Sequence, residues 1–250
     1  MVPRMGLFIY AFCFNYDKKI AGLASLSPEK WSFDNNKNYE ILKKYIDQTF
    51  LILEKENGIL ENDQFALFNT GLYTPYYEPI MGYFTLNLNK GKQKWFLDGF
   101  YSSYQLSIMG VVGSPPRVNY FIKPEDFIFD VNCGIMPHYQ HIFNGVDNYS
   151  LIPDVVRESQ NKEMIFSNAI DRAKHMIRAN YKTAVPQYSN GRIRLLIPMY
   201  LVSASQPDFA LAISKNEAGN QYLGHSCLSL QTAYVSARLI ARPDSTWLIP

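Results

Sequence analysis

The order of segments predicts an α+β fold, a mixed or antiparallel sheet packed with three main helices. Three observations support it. Apolar residues recur at three- and four-residue intervals in stretches near 39–57, 159–181 and 229–241, as one buried helix face requires. Between these stretches lie short apolar or alternating runs bounded by Gly, Pro and Asn, the pattern of strands. The strands come in groups among the helices, an order that argues α+β. No sharp composition shift marks a linker and no internal repeat is visible, so residues 1–250 read as a single domain.

Taken in order, the apolar run Leu7 to Phe14 follows a single Arg4 and lacks a small-residue cleavage site, so it reads as a strand or a buried lead-in rather than a signal peptide. Lys19 to Leu26 offers Ile20, Leu23, Ala24 and Leu26 as a short helical face closed by Ser27-Pro28. Asp34 to Asn38 supplies helix N-cap candidates. The helix that follows runs to about Asn57, with Ile41, Leu42, Tyr45, Ile46, Thr49, Phe50, Ile52 and Leu53 on its apolar face and Gly58 as its stop. Phe65 to Phe68, Tyr76 to Leu88 and Lys94 to Tyr101 read as strands, the last two joined by a hairpin turn at Asn89 to Lys92. That basic tip has a plain explanation in keeping an edge strand soluble.

Glycines and prolines then break the chain, and short strands are expected around Tyr120–Ile122 and Phe127–Phe129. Ser159 to about Tyr181 returns to helix, with Ile165, Ala169, Ala173, Met176 and Ile177 on one face. Arg192 to Ser203 and Phe209 to Ile213 read as buried strands, although Pro198 limits the ladder of the first. Ser229 to Ala241 is the last helix, stopped by Arg242-Pro243-Asp244.

The totals exclude several classes. With 24 basic and 22 acidic side chains the chain carries +2, too little for a protein that coats DNA, so any nucleic-acid site must be local. Cys13, Cys133 and Cys227 are widely spaced, which suggests neither a disulfide framework nor a clustered zinc site and fits a reduced, cytoplasmic compartment. No stretch approaches the roughly 18 apolar residues of a membrane span.

Charge is nevertheless uneven. Arg172 to Pro207 holds Arg172, Lys174, Arg178, Lys182, Arg192 and Arg194 with no acidic residue, so it carries +6 and leaves −4 for the remainder. A local excess beside tyrosines suits phosphate-bearing partners, while solvated faces of ordinary elements are the plain alternative. No GxxxxGK[ST], GxGxxG or GxSxG motif is present, which leaves Lys182 and the arginines as the groups to contact phosphate. Arg178 and Lys182 stand four apart at one helix end, and Arg238 and Arg242 repeat that spacing on the last helix. Cations in a final turn also stabilise the helix dipole by about 0.3–1 kcal/mol, the structural reading of each pair. His138-x-x-His141 could serve a metal, but no HExxH or CxxC accompanies it, so no metal site is assigned. One positioned imidazole suffices for acid–base chemistry, which makes His141 a candidate for proton transfer or simply a hydrogen-bonded structural histidine. Asn69 and Thr70 lie at a strand end, where polar side chains can meet a ligand.

Four segments carry a family resemblance: Pro28-Glu29-x-Trp31, Phe68-Asn69-Thr70-Gly71-Leu72, Asn180 to Tyr188 (NYKTAVPQY), and Ala237 to Leu248 with Arg242-Pro243-Asp244-Ser245 at its centre. In these the chain resembles the bacterial and fungal family described as domain of unknown function 3825, whose members can follow cold-shock-type or other RNA-binding modules. No such module is evident ahead of Pro28. The resemblance implies an RNA-linked context and brings no activity or cofactor.

Together these features lead to an expected RNA- or nucleotide-processing enzyme acting at a phosphate through a basic pocket, a phosphodiesterase or nucleotide hydrolase in class. Lys182 and His141 would be catalytic; Asn69, Thr70, Arg178, Gln187, Tyr188, Arg238 and Arg242 would bind the ligand, with Tyr188 stacking on a base. The alternative is a non-catalytic module that binds an RNA end or a nucleotide with the same cations. A scaffold for protein partners is a third reading, distinguished by the absence of salt-sensitive nucleotide affinity.

Overall fold

The computed structural model describes residues 6–33, 38–89, 93–189 and 191–250. The chain is α+β, with two five-stranded mixed sheets, and it divides into two compact units, Met1–Asn119 with Pro250 and Tyr120–Ile249.

In the first unit α1 (Leu7–Tyr10) leads into β1 (Ala11–Phe12), α2 (Tyr16–Leu26) and α3 (Glu40–Lys55). Strands β2 (Leu60–Glu61), β3 (Phe65–Tyr73), β4 (Pro79–Leu86) and β5 (Trp95–Ser102) follow, then α4 (Ser103–Ile108). Sheet order is β1-β5-β4-β3-β2, parallel only between β1 and β5. All eight apolar-face positions predicted for α3 are buried. Phe50 sets its ring 5.1 Å from Phe68 and 6.0 Å from Phe84, so the helix is fixed to the sheet through aromatic contacts. Gly82 pairs with Phe68 across the ladder because a methyl group there would lie 1.9 Å from the Phe68 ring.

Several local expectations are revised. The capping segment 34–37 lies outside the described residues, and α3 is preceded by Tyr39, which makes no side-chain cap. Its start is tied instead by Ser32 Oγ, accepting from the Tyr39 amide at 3.0 Å, and by Glu40 Oε1, accepting from the Phe33 amide at 2.8 Å. At the other end Asn57, at φ 54, takes the left-handed position, while the Gly58 N–H reaches Leu53 O at 2.7 Å. Lys90, Gly91 and Lys92 of the predicted hairpin turn also lie outside the described residues. The lead-in is a helical turn and a two-residue strand, with Leu7 and Ala11 buried as expected and Phe8, Ile9 and Phe14 exposed.

In the second unit β6 (Gly134–Pro137) is followed by α5 (Tyr139–Asn144), α6 (Val146–Tyr149), α7 (Asp154–Arg157) and the long α8 (Lys162–Ala179). Strands β7 (Val185–Ser189), β8 (Arg192–Met199), β9 (Phe209–Lys215) and β10 (Gln221–Leu228) precede α9 (Leu230–Arg238). Phe166, Ala169, Ile170, Ala173 and Ile177 of α8 share one core with alternate residues of β8 and β9, among them Leu195, Ile197, Leu211 and Ile213. The fully buried stripe thus centres on Phe166 and Ile170, with the predicted Ile165 packed against it partly buried and Met176 only partly buried. The strands expected near Tyr120 and Phe127 are replaced by a 3-10 turn at Pro124–Phe127, where Pro124 supplies a fixed φ and no donor; the Phe121 and Phe127 rings stack 5.1 Å apart.

The two units follow the same chain path. The second sheet has order β6-β10-β9-β8-β7, parallel only between β6 and β10, so each unit runs edge strand, helices, four-stranded meander and trailing helix. The correspondence extends to single residues. In each last strand the ladder register shifts around one residue, Asp98 in β5 and His225 in β10. Four residues later a serine, Ser102 or Ser229, caps the trailing helix by accepting from the amide three positions on. A side chain holds the bulge carbonyl in each case: Lys19 Nζ donates to Asp98 O at 2.7 Å, and Asn148 Nδ2 donates to His225 O at 3.1 Å.

Candidate functional site

Two sites stand out in the second unit: of the predicted residues, Lys182 and Arg242 line the first and His141 the second. The first is built where the chain leaves α8. Asn180 takes an extended conformation at φ −149, ψ 107 and ends the helix, and its side chain accepts from the Lys182 amide at 3.1 Å. Thr183 Oγ1 reaches back to Met176 O at 3.3 Å, so Tyr181–Thr183 forms one 3-10 turn before β7 begins. The C-terminal segment is fastened to this turn at two points. Trp247 Nε1 donates to Thr183 O at 2.9 Å, and Lys182 Nζ meets Asp244 Oδ2 at 2.5 Å.

Between the two segments lies a pocket of about 280 Å³. Phe127, Ile128, Val185, Pro186, Ala237 and Ile240 give it apolar walls, and Tyr181, Lys182, Arg242 and Asp244 form its polar rim. The Lys182 ammonium is raised above its ordinary pKa by its hydrogen bond and charge interaction with Asp244. Asp244 is lowered by the same hydrogen bond, then by the charges of Lys182 and Arg242, so both partners are held ionised. Half-exposed Lys182 and exposed Asp244 form a surface pair, a type worth little to stability.

The pocket is therefore less basic than the charge run implied. Lys182 is matched by Asp244 and Lys174 lies 3.8 Å from Asp171, both acids outside the run. Arg172 stacks 4.1 Å from the centre of Tyr200 and donates to Ala204 O. Neither predicted helical pair holds its geometry, because α8 ends at Ala179 and α9 at Arg238. Lys182 instead reaches the pocket from the 3-10 turn and Arg242 from the segment after α9. Arg178 is exposed on the last turn of α8, and Arg238 is buried. Gln187 is 1% exposed and its Oε1 has no hydrogen-bond partner among the described residues; Tyr188 packs edge-on against Tyr120 at 5.0 Å.

Asn69 and Thr70 belong to the first unit, where a bulge engages both side chains. Asn69 Oδ1 accepts from the Gly71 amide at 2.9 Å, and Gly71 sits at φ +75. Thr70 is fully buried; its hydroxyl donates to Ile80 O at 2.7 Å and accepts from the Leu72 amide at 3.2 Å.

The second site contains His141. Its ring stacks on His138 with centroids 5.9 Å apart, and His138 meets His225 edge-on at 5.8 Å. His138 is anchored by its amide, which donates to Gly224 O at 2.9 Å. His225 is the extra residue of the β10 bulge, a device that re-aims a side chain. Buried Asn148 locks the bulge: its carboxamide donates to His225 O and His141 O and accepts from the Cys227 amide at 2.8 Å. Burial lowers the His225 pKa, and the charges of His138, His141 and Arg194 lower it further. An open depression of about 320 Å³ lies against His138, Gln140, His141 and Asn144. Among the described residues no group of three or more His, Cys, Asp or Glu is arranged to hold a metal ion.

His141 lies against β10 and Lys182 lies before β7, three strands away in the sheet order, and the two line separate depressions. They do not share one site. Sequence reasoning missed His225 and Asn148; the only local signal was Gly224, a glycine inside a strand, which often marks a bulge.

Among the described residues no helix is long and apolar enough to cross a membrane. No curated protein and no solved structure matches the chain. The family model described as domain of unknown function (DUF3825) matches residues 23–247, which include both sites, and the chain belongs to that family.

Proposed function

We propose that the chain binds a nucleotide or the end of an RNA in the pocket between Tyr181–Pro186 and Ala237–Asp244. The single observation that carries this reading is the Lys182–Asp244 pair at the rim of an apolar pocket. A base would lie against Val185, Pro186 and Ile240, and Tyr181, which is 63% exposed, could stack on it. A phosphate would take Lys182 from Asp244 at small cost, because the pair is solvent-exposed, and Arg242 would add a second, bidentate-capable donor. These are the two segments, Asn180 to Tyr188 and Ala237 to Leu248, that carry half of the family resemblance. Their convergence supports a shared ligand. Lys182 and Arg242 line this pocket and His141 does not, which is why binding rather than processing is the reading given to it.

The test is calorimetric titration of the whole chain with nucleoside mono-, di- and triphosphates and with 5′-phosphorylated RNA. Binding that weakens with salt and is lost in Lys182→Ala with an unchanged melting curve supports the pocket; no affinity for any of them at low salt overturns it.

A further inference from the structure

We propose that His138, His141 and His225 form a second site, one that cleaves single-stranded RNA by proton transfer without a protein nucleophile. Three features converge on it. The rings lie 5.9 and 5.8 Å apart in sequence, from His141 to His138 and from His138 to His225, close enough to engage one phosphodiester together. The backbone beneath them is over-determined: a bulge projects His225, the His138 amide fixes the end of β6 to Gly224, and the buried Asn148 carboxamide ties the His141 and His225 carbonyls together. His138 and His141 are exposed and His225 is partly exposed, so a ligand can reach the cluster from solvent.

The surroundings select the substrate. The positive charge of Arg194 on β8 bears on His225 together with those of the other two imidazoles. Cys227 is the nearest thiol in sequence, but it is buried and burial pushes its pKa up to about 12, which makes it a poor nucleophile. That leaves water, an imidazole nitrogen or the substrate itself as the nucleophile, and we assign it to the substrate. A ribose 2′-hydroxyl beside its own phosphodiester meets this need and requires no further reactant.

In the reaction His225, kept neutral by its surroundings, takes the 2′-hydroxyl proton as O2′ bonds to phosphorus. The P–O5′ bond breaks, its electron pair goes to O5′, and His141 gives O5′ a proton. His138, ring neighbour to both, holds a non-bridging oxygen. The products are a 2′,3′-cyclic phosphate and a 5′-hydroxyl, and the two imidazoles return to their starting states by exchanging protons with water. The inference shares with the proposed function only the class of ligand, RNA, and not the pocket.

The test incubates the whole chain with a short single-stranded RNA, the same RNA with one 2′-deoxy linkage, and the matching DNA, and reads the products by mass spectrometry. The expected result is cyclic-phosphate ends, an intact 2′-deoxy linkage and intact DNA. His225→Gln and His141→Gln should each slow cleavage by about 10²–10⁴-fold, the usual share of one acid–base group. His141 is exposed, so its variant folds even if His225→Gln does not. The proposal is overturned by no RNA cleavage, by cleavage at the deoxy linkage, or by rates that neither substitution changes. Histidine-dependent cleavage without nucleotide binding at Lys182 removes the pocket reading alone, and nucleotide binding without such cleavage removes this inference alone.

Discussion

The Asn148 carboxamide and the His225 carbonyl are joined by a hydrogen bond of 3.1 Å, through which a buried side chain on α6 sets the shape of the β10 bulge. The same carboxamide also satisfies His141 O and the buried Cys227 amide. In Asn148→Ala the His141 carbonyl keeps the Gly145 amide as a donor, while the His225 carbonyl and the Cys227 amide lose this partner, and each buried orphan costs about 1–3 kcal/mol. The expected loss is about 2–4 kcal/mol after partial relaxation. Hydrogen exchange read by mass spectrometry should show it as faster exchange across β10 and α5, with β3 and β4 unchanged. Protection in β10 equal to that of the parent chain would refute the clamp.

His225 should make the second unit less stable in mild acid. Its folded pKa is lowered from the ordinary 6.5, by burial first and by His138, His141 and Arg194 after it. The unfolded chain therefore binds the proton more readily, and stability present at neutral pH falls as pH drops through 6.5 toward the folded value. The sign follows from the unfolded state holding more protons in that window. His225→Gln should flatten this part of the stability profile, and Arg194→Met should move the His225 titration upward in an NMR experiment. A titration that stays fixed in Arg194→Met would show that the guanidinium charge is not felt.

How much of this was legible depends on whether the signal was local. The α3 face was readable because seven apolar residues and Thr49 repeat at helical spacing, and all eight are buried. The sheet type and the family segments were readable for the same reason. Three features were not. Asp244 lies 62 residues from Lys182, so the compensation of the charge run is a tertiary fact. Asn148 and His225, 77 residues apart, are joined by a side-chain-to-backbone bond that no periodicity records. The repeated chain path is carried by strand order and by the Asp98–Ser102 and His225–Ser229 spacings, while the side chains within those segments differ, so no sequence repeat is visible.

Asp244 competes with any phosphate for Lys182, and this gives its removal an unusual sign. Asp244→Asn should tighten nucleotide binding by about 3–10-fold, because a charge-assisted contact from Lys182 and Arg242 becomes available without displacing a carboxylate. The melting curve should scarcely move, since the pair is solvent-exposed. Lys182→Ala shifts affinity the opposite way. Titration of both variants at one ionic strength is the check, and weaker binding in Asp244→Asn would mean that the carboxylate itself contacts the ligand.

Thr70 tests whether a polar residue at a strand end serves the fold or a ligand. Its hydroxyl bridges Ile80 O and the Leu72 amide inside a bulge where Gly71 holds φ +75 beneath the Tyr45 hydroxyl. Thr70→Val keeps the volume and removes both bonds, leaving a buried donor and a buried acceptor to find new partners. The expected loss is about 2–4 kcal/mol, confined to the first unit. Gly71→Ala should cost a comparable amount, because a Cβ there would stand 2.8 Å from Tyr45 Oη at a backbone angle that alanine resists. Hydrogen exchange in β3 and β4 measures both. If Thr70→Val leaves that protection intact, the hydroxyl is not needed by the bulge, and a role in contacting a ligand becomes the better explanation for a threonine at this position.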